Sequence, residues 1–428
     1  MAASGNIAVF DLGKTHAKVI LFDPERLEEI AVLQLKNTVL LGPPYPHFDI
    51  PALKAFVTSS LKQLAAEHEI ASVFVSTHGA AAAVIAEGEL ALPVLDYEFG
   101  GPDEFAAEYD AVRPLFERTG TPRMGGGLNL GAQLYWLARR FPEEMGRADT
   151  LLFWPQYWAH WFSGMAASEV AYAGCHTDLW DLTDGAFLPL SRYGVPGGLG
   201  YPPMRWCSDV LGPVRAEIAE ATGLDAATEV YCGGHDSSLS LVSVGREYPG
   251  PCTVLSTGTW VTIFALGLEE PDVVEEPGLT VSMDCEGRVT PSYRFPGGAI
   301  YADLLGQMQG RDAPDAVEEL RLEGFDTAAT ARVVAQDTGE PVDLSGWDRD
   351  AGAEVVSRLL GRQALHGLRA IGARGPIVLS GPFSGNAVFR EMLGSAWEAE
   401  IHVEENLLGI CKGIAASVSG AVPQWDRL

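Results

Sequence analysis

The sequence predicts a two-domain α/β protein, and three observations lead there. The chain has 428 residues, more than the roughly 250–300 that one hydrophobic core usually holds. Two segments, Ile7–Phe22 and Thr253–Leu266, repeat one device: a β-rich run, a glycine with hydroxyl neighbours, and a second β-rich run. Around and between them, short apolar strands alternate with helices, the pattern of layered α/β folds.

Each element follows from local signals. The glycine turns are short, so both repeats read as β-hairpins. Ser72–Ser76 is a short apolar strand. Leu130–Phe141 carries apolar residues at helical spacing and ends on Arg139, Arg140 and then Pro142, a stop signal. Val214–Thr222 reads as a helix stopped by Gly223, and Glu229–Cys232 as a strand entering Gly233-Gly234. Asp350–Ile371 is a long amphipathic helix. Ile377–Ser380 is a strand, and Asn386–Trp397 a helix capped by Asn386. Leu407–Val418 closes the chain as a small-residue helix. Gly194–Pro203 and Glu269–Gly278 read as loops. The aromatic run Phe153–Phe162 suits a packed helix better than a sugar-stacking platform. The Gly/Pro-rich stretch Gly245–Pro251 marks the boundary, giving domains of 1–245 and 246–428.

Composition excludes several classes of function. Acidic residues number 57 against 29 basic ones, for a formal net charge of −28. Such a chain repels nucleic-acid phosphates and anionic lipid. No apolar run is long enough to span a membrane. Met1–Asn6 resembles neither a signal nor a transit peptide. The six cysteines form no C-x-x-C pair. A cytoplasmic protein without disulfides or a zinc site is expected.

Four segments could carry chemistry. Gly13-Lys14-Thr15 is not a P-loop: Ala8 stands where that motif needs glycine, and a strand follows instead of a helix. A Gly-Thr hairpin turn can still offer N–H groups and hydroxyls to phosphate, with Lys14 neutralising charge. Asp11, at the end of the first strand, could hold Mg²⁺ through water. Gly258-Thr259 repeats this turn. Gly233–Ser237 follows a strand. Its Asp236 could be a general base toward a hydroxyl, or merely a cap for the helix that follows. Thr77-His78-Gly79 also follows a strand. His78 could bond a polyol, or be a buried, satisfied histidine. Ser380–Asn386, with Gly381 and Gly385, is a strand-to-helix turn open to a flat ring, or simply a loop.

These segments, in this order, resemble the FGGY carbohydrate kinases, of the actin, hexokinase and heat-shock-chaperone ATPase fold. Phe10–Asp23 is similar to that family's first phosphate motif and Leu255–Trp260 to its second. Gly233–Ser237 is similar to its catalytic segment, and Leu379–Asn386 to its adenosine motif. Leu134–Leu137 matches part of the signature helix. Ser76–Gly79 resembles the sugar-site segment of xylulokinases, and Gly258-Thr259-Trp260 the rhamnulokinase version of the second phosphate motif. Lys14, Gln133 and the loop at Gly381–Asn386 depart from the usual pattern.

The resemblance implies two ribonuclease H-like domains with an interdomain cleft. It implies a sugar-binding, catalytic first domain and a nucleotide-binding second one. ATP would be held by Gly13, Lys14, Thr15, Gly258, Thr259, Gly381 and Asn386, and Mg²⁺ by Asp11. A ketose would be held by Thr77, His78, Gly79, His235, Asp236 and Ser237, with Asp236 as the base. The substrate expected is a 6-deoxyketohexose such as L-rhamnulose or L-fuculose, or a pentulose such as xylulose, and the assembly a homodimer. A non-catalytic regulatory protein of the same fold, or an ATPase of that fold acting on no sugar, is the alternative.

Overall fold

A computed structural model describes residues 5–269, 272–312, 317–325, 329–404 and 409–419. The chain divides between Arg246 and Glu247 into two compact units.

In the first unit the Gly13 turn folds β1 (Asn6–Leu12) back onto β2 (His16–Asp23), antiparallel from Ile7↔Phe22 to Leu12↔Ala17. β3 (Glu28–Lys36) extends the sheet, antiparallel to β2. β4 (Ile70–Thr77) pairs parallel to β1. β5 (Val210–Pro213) is the edge, and β6 (Glu229–Tyr231) and β7 (Gly234–His235) both run parallel to β4. The order is β5-β6-β4-β1-β2-β3, with β7 also on β4. All of β1 after Asn6 is buried, as expected for a strand covered on both faces.

The longer helices up to the boundary are α1 (Ile50–Ala65), α2 (Leu130–Arg140), α3 (Trp154–Ser163), α4 (Ala216–Thr222) and α5 (Asp236–Glu247). α3 settles the aromatic run as core. Trp154, Trp158 and Phe162, four residues apart, are fully buried, and Trp158 meets the Phe10 ring edge-on at 5.0 Å. α4 starts two residues later than its apolar pattern indicates: Arg215 is extended (φ −62°, ψ 144°) and its carbonyl accepts a first helical bond from Ala219 N–H at 2.9 Å.

The second unit repeats the plan. β8 (Cys252–Thr257) and β9 (Val261–Leu266) form the hairpin. β10 (Leu279–Met283), β11 (Val289–Phe295), β12 (Ile377–Ser380) and β13 (Ile401–Val403) complete the order β10-β11-β9-β8-β12-β13. β12 is parallel to β8, and β13 to β12. In both sheets the hairpin's first strand is central. Its antiparallel hairpin partner lies on one side and a parallel strand, β4 or β12, on the other, with a second parallel strand beyond that one. The repeat seen in the hairpins is thus a repeat of whole sheets. α6 (Arg349–Ala370), capped by Asp348, and α7 (Ala387–Ala396) belong to this unit.

The second unit is not one continuous run, which corrects the expectation that all of 246–428 belongs together. Residues 281–288 and α8 (Ile410–Ser419) group with the first unit. Val281 N–H bonds the Gly120 carbonyl at 2.8 Å. Cys411, Ile414 and Ala415 are buried in a cluster with Val9, Phe74 and Leu239. At Gly413 an added Cβ would come within 1.8 Å of the Leu239 carbonyl oxygen, so only glycine allows α8 to pass α5 there. Residues 407 and 408 of the expected last helix lie outside the described residues.

Among the described residues no helix is long and apolar enough to cross a membrane. All six cysteines are buried, and none is in a disulfide.

Candidate active site

Parallel register assembles the site in the first unit. Asp11 on β1 lies opposite Ser76 on β4, and Ser76 opposite Gly234 on β7. One step on, Leu12, Thr77 and His235 align in the same way. Three parallel strands therefore end together, and Gly13, His78 and Asp236 are the next residues out. Ligands of α/β sheets bind outside such carboxyl ends. Gly233 is required for this register. Its φ is +76°, and an added Cβ would lie 2.4 Å from the Val75 carbonyl oxygen.

Two carboxylates meet here. Asp11 is 9% exposed. Burial first, then the charge of Asp236, push its pKa up to about 6, against the pull of Lys18 and of the Ser76 hydroxyl, which donates to it at 3.3 Å. Asp236 opens α5 with its side chain 28% exposed. Its Oδ1 accepts from Ser237 N–H at 2.5 Å and Ser237 Oγ at 3.1 Å, and lies 3.3 Å from His235 Nε2. Burial raises its pKa, while nearby His78 and the Ser237 bonds pull it back. Asp236 is thus the first residue of α5 and bonds only its neighbour Ser237, not the N–H two or three residues on that a cap serves, and these bonds use one of its two oxygens.

The histidines are neutral at pH 7. Burial lowers both His78 and His235 to about 4. His78 Nδ1 lies 2.7 Å from the Gly79 carbonyl, which only accepts, so Nδ1 carries the proton and Nε2 a lone pair. That Nε2 is buried and has no hydrogen-bond partner. Thr77 Oγ1 donates to the His78 carbonyl at 2.9 Å and so shapes the turn. At Gly79 an added Cβ would lie 3.0 Å from His176 Nε2 and 3.1 Å from His235 Nε2. The glycine lets two imidazoles converge.

The first turn differs from expectation in one respect. Gly13 N–H bonds the His16 carbonyl at 2.9 Å, and Thr15 is exposed. The Lys14 ammonium, however, pairs with Asp96 and with Glu98 at 3.2 Å. It also lies over the rings of Tyr97 at 4.7 Å and Phe48 at 5.5 Å. Asp96, Tyr97, Phe48 and His176 are not visible to sequence reasoning, since no motif marks the loops that bring them in.

The second unit shows a matching arrangement. Ser256 lies opposite Ser380. Thr257 Oγ1 donates to the Ser380 carbonyl at 2.6 Å and accepts from Phe383 N–H at 3.1 Å. Gly381 has φ +86°, and an added Cβ would lie 1.7 Å from the Thr257 carbonyl oxygen. Gly258 N–H bonds the Trp260 carbonyl at 2.9 Å, and Thr259 is exposed. Gly298 packs so closely on this turn that a Cβ would come within 2.1 Å of the Gly258 carbonyl oxygen; Pro296-Gly297-Gly298 after an apolar strand was the overlooked signal. Asn386 caps α7, its Oδ1 accepting from Phe389 N–H at 2.9 Å, and its Nδ2 donates to Ser357 Oγ at 3.0 Å. Its side chain is therefore committed to the helix end.

Among the described residues no group of three or more His, Cys, Asp or Glu is arranged to hold a metal. Asp11 supplies a hard oxygen donor whose charge is raised in energy by burial and by Asp236. That fits Mg²⁺, which commonly takes one or two carboxylates and completes its shell with water and phosphate.

Residues 249–340 match the family described as carbohydrate kinase FGGY, C-terminal domain. The chain is 24% identical over 393 residues to an L-fuculokinase of Haemophilus influenzae, covering 87% of this chain and 79% of that one. The crystal structure of a carbohydrate kinase from Novosphingobium aromaticivorans is 30% identical and has a TM-score of 0.82, over 99% of this chain and 93% of that one. A ligand-bound xylulose kinase from Lactobacillus acidophilus, 15% identical, shares the fold with a TM-score of 0.75, over 96% of this chain and 88% of that one.

Proposed function

The chain belongs to the FGGY carbohydrate kinases, phosphotransferases of the two-domain actin/hexokinase-like ATPase fold, and we propose that it phosphorylates a ketose with Asp236 as general base. One observation carries the assignment of the base. Asp236 leaves the common end of three parallel strands beside Asp11 and two neutral histidines, with its pKa raised by burial. A carboxylate so placed is a stronger base than one in water.

The first unit binds the sugar and the second the nucleotide, through Gly258, Thr259 and the Gly381 turn. Asp236 orients the hydroxyl and takes its proton as the oxygen bonds the γ-phosphorus and the bond to ADP breaks. In a loose transition state that proton moves late, so a carboxylate suffices. Asp11 is the residue that would hold Mg²⁺, which supplies neutralisation of phosphate charge when bound. His78 Nε2 accepts from a sugar hydroxyl. Similarity to an L-fuculokinase favours a 6-deoxyketohexose such as L-fuculose or L-rhamnulose over a pentulose such as xylulose. A cytoplasmic homodimer completes the reading; light scattering tests the assembly.

The test is ADP release over a panel of ketoses and polyols with wild type and Asp236→Asn. Sugar-dependent turnover that falls by at least a thousandfold in the variant, with sugar binding retained, is the expected result. Near-normal turnover in the variant removes Asp236 from the chemistry. ATP turnover without sugar dependence removes the sugar.

A further inference from the structure

Lys14 sits where a phosphate contact is expected, yet its surroundings are those of a sugar. Its side chain is 18% exposed and its ammonium is held by Asp96, itself 8% exposed, and by Glu98 at 3.2 Å. Two carboxylates on one ammonium leave the group net negative, which repels phosphate rather than attracting it. To neutralise a phosphate, Lys14 would have to abandon a buried partner, and a buried charge left alone is costly.

The same cluster faces His78. The Phe48 and Tyr97 rings under the Lys14 ammonium each lie 5.3 Å from the His78 imidazole. His78 Nε2 is the buried, unpartnered lone pair. A buried polar atom without a partner is destabilising, so it calls for a donor such as a hydroxyl. The charges of Lys14 and Asp236 both act on His78, and that of Asp236 on Tyr97. One neighbourhood therefore holds a cation, a carboxylate acceptor, a lone-pair nitrogen, the base and two aromatic rings. Paired donors and acceptors beside an aromatic face suit vicinal hydroxyls on a C–H-bearing skeleton.

We propose that Lys14 and Asp96 form a specificity-determining pair for the sugar, the ammonium donating to one hydroxyl and the carboxylate accepting from its neighbour. The substrate class follows: an uncharged polyhydroxy compound is accepted. An aldonate, bringing a carboxylate to Asp96, Glu98 and Asp236, is rejected. The inference rests on the kinase reading above and deepens it.

The experiment uses the full chain with Lys14→Met, Lys14→Arg and the double variant Lys14→Met/Asp96→Asn. Kinetics vary ATP and sugar separately, with L-fuculose, L-rhamnulose, D-xylulose and D-gluconate as substrates. Lys14→Met is expected to raise the KM for the ketose at least tenfold and to leave the KM for ATP within twofold. Lys14→Arg is expected to recover part of the loss. The double variant removes both charges of the pair, so it should melt near wild type yet keep the ketose defect. A rise confined to the KM for ATP, or D-gluconate as the best substrate, overturns the proposal. Calorimetry with each ketose in the absence of nucleotide separates the two readings. A wild type that binds a ketose but turns over none defeats the kinase reading alone. Equal ketose affinity in wild type and Lys14→Met, or binding by neither, defeats this one.

Discussion

Asp11→Asn exposes how much strain the site stores. In the folded protein the Asp11 pKa is raised from 3.8 to about 6. At 1.36 kcal/mol per pH unit, that difference is ~3 kcal/mol of folding stability given up when Asp11 ionises. The cause is local: burial comes first and the Asp236 charge second, with Lys18 and Ser76 offsetting part. Asparagine has nearly the same shape and still accepts from the Ser76 hydroxyl, so the substitution removes mainly the charge. The sign follows from proton linkage. The folded state holds its proton more tightly than the unfolded chain, so the penalty is absent below pH 3.8. It grows between pH 3.8 and about 6 and is constant above. Urea unfolding in EDTA, followed by tryptophan fluorescence from pH 3.5 to 8, reads this directly. The variant should match wild type near pH 3.5 and exceed it by up to about 3 kcal/mol at pH 7.5, while losing kinase activity. A gap independent of pH, or a variant less stable at pH 7.5, refutes the reasoning.

His235→Gln should make unfolding less sensitive to acid. The folded imidazole is held to about 4, so wild type loses stability as pH falls from 6.5 toward 4; an unchanged acid limb in pH-dependent denaturation counts against it. Gly381→Ala forces a Cβ onto the Thr257 carbonyl at positive φ, and should cost at least about 2 kcal/mol and raise the KM for ATP. A variant with wild-type melting and ATP kinetics shows that the turn neither needs glycine nor meets nucleotide.

What was legible in the sequence was local. A turn glycine between two β-rich runs, a strand entering Gly-Gly, and an asparagine before an apolar helix each write their conformation within a few residues. Both hairpins, Asp11, Asp236 and the Asn386 cap therefore lie where their neighbours indicate. What was not legible was partnership. Lys14 and Asp96 are 82 positions apart, and no periodicity marks Asp96-Tyr97-Glu98, so the motif gives the position of Lys14 but not what it touches. Domain membership fails for a similar reason. α8 has a helical pattern of its own, but only tertiary packing of Ile414 and Ala415 with Phe74 assigns it to the first unit. The site thus has two layers of different origin. Strand ends place Asp11, His78 and Asp236 by register, which the repeated sheet fixes in both units. Loops add Asp96, Tyr97 and His176, whose positions register does not constrain. The proposed base belongs to the first layer, and the proposed sugar-determining pair draws Asp96 from the second. On the proposed role of Lys14, the substrate is to be sought at this hairpin-turn residue that the loop layer has captured.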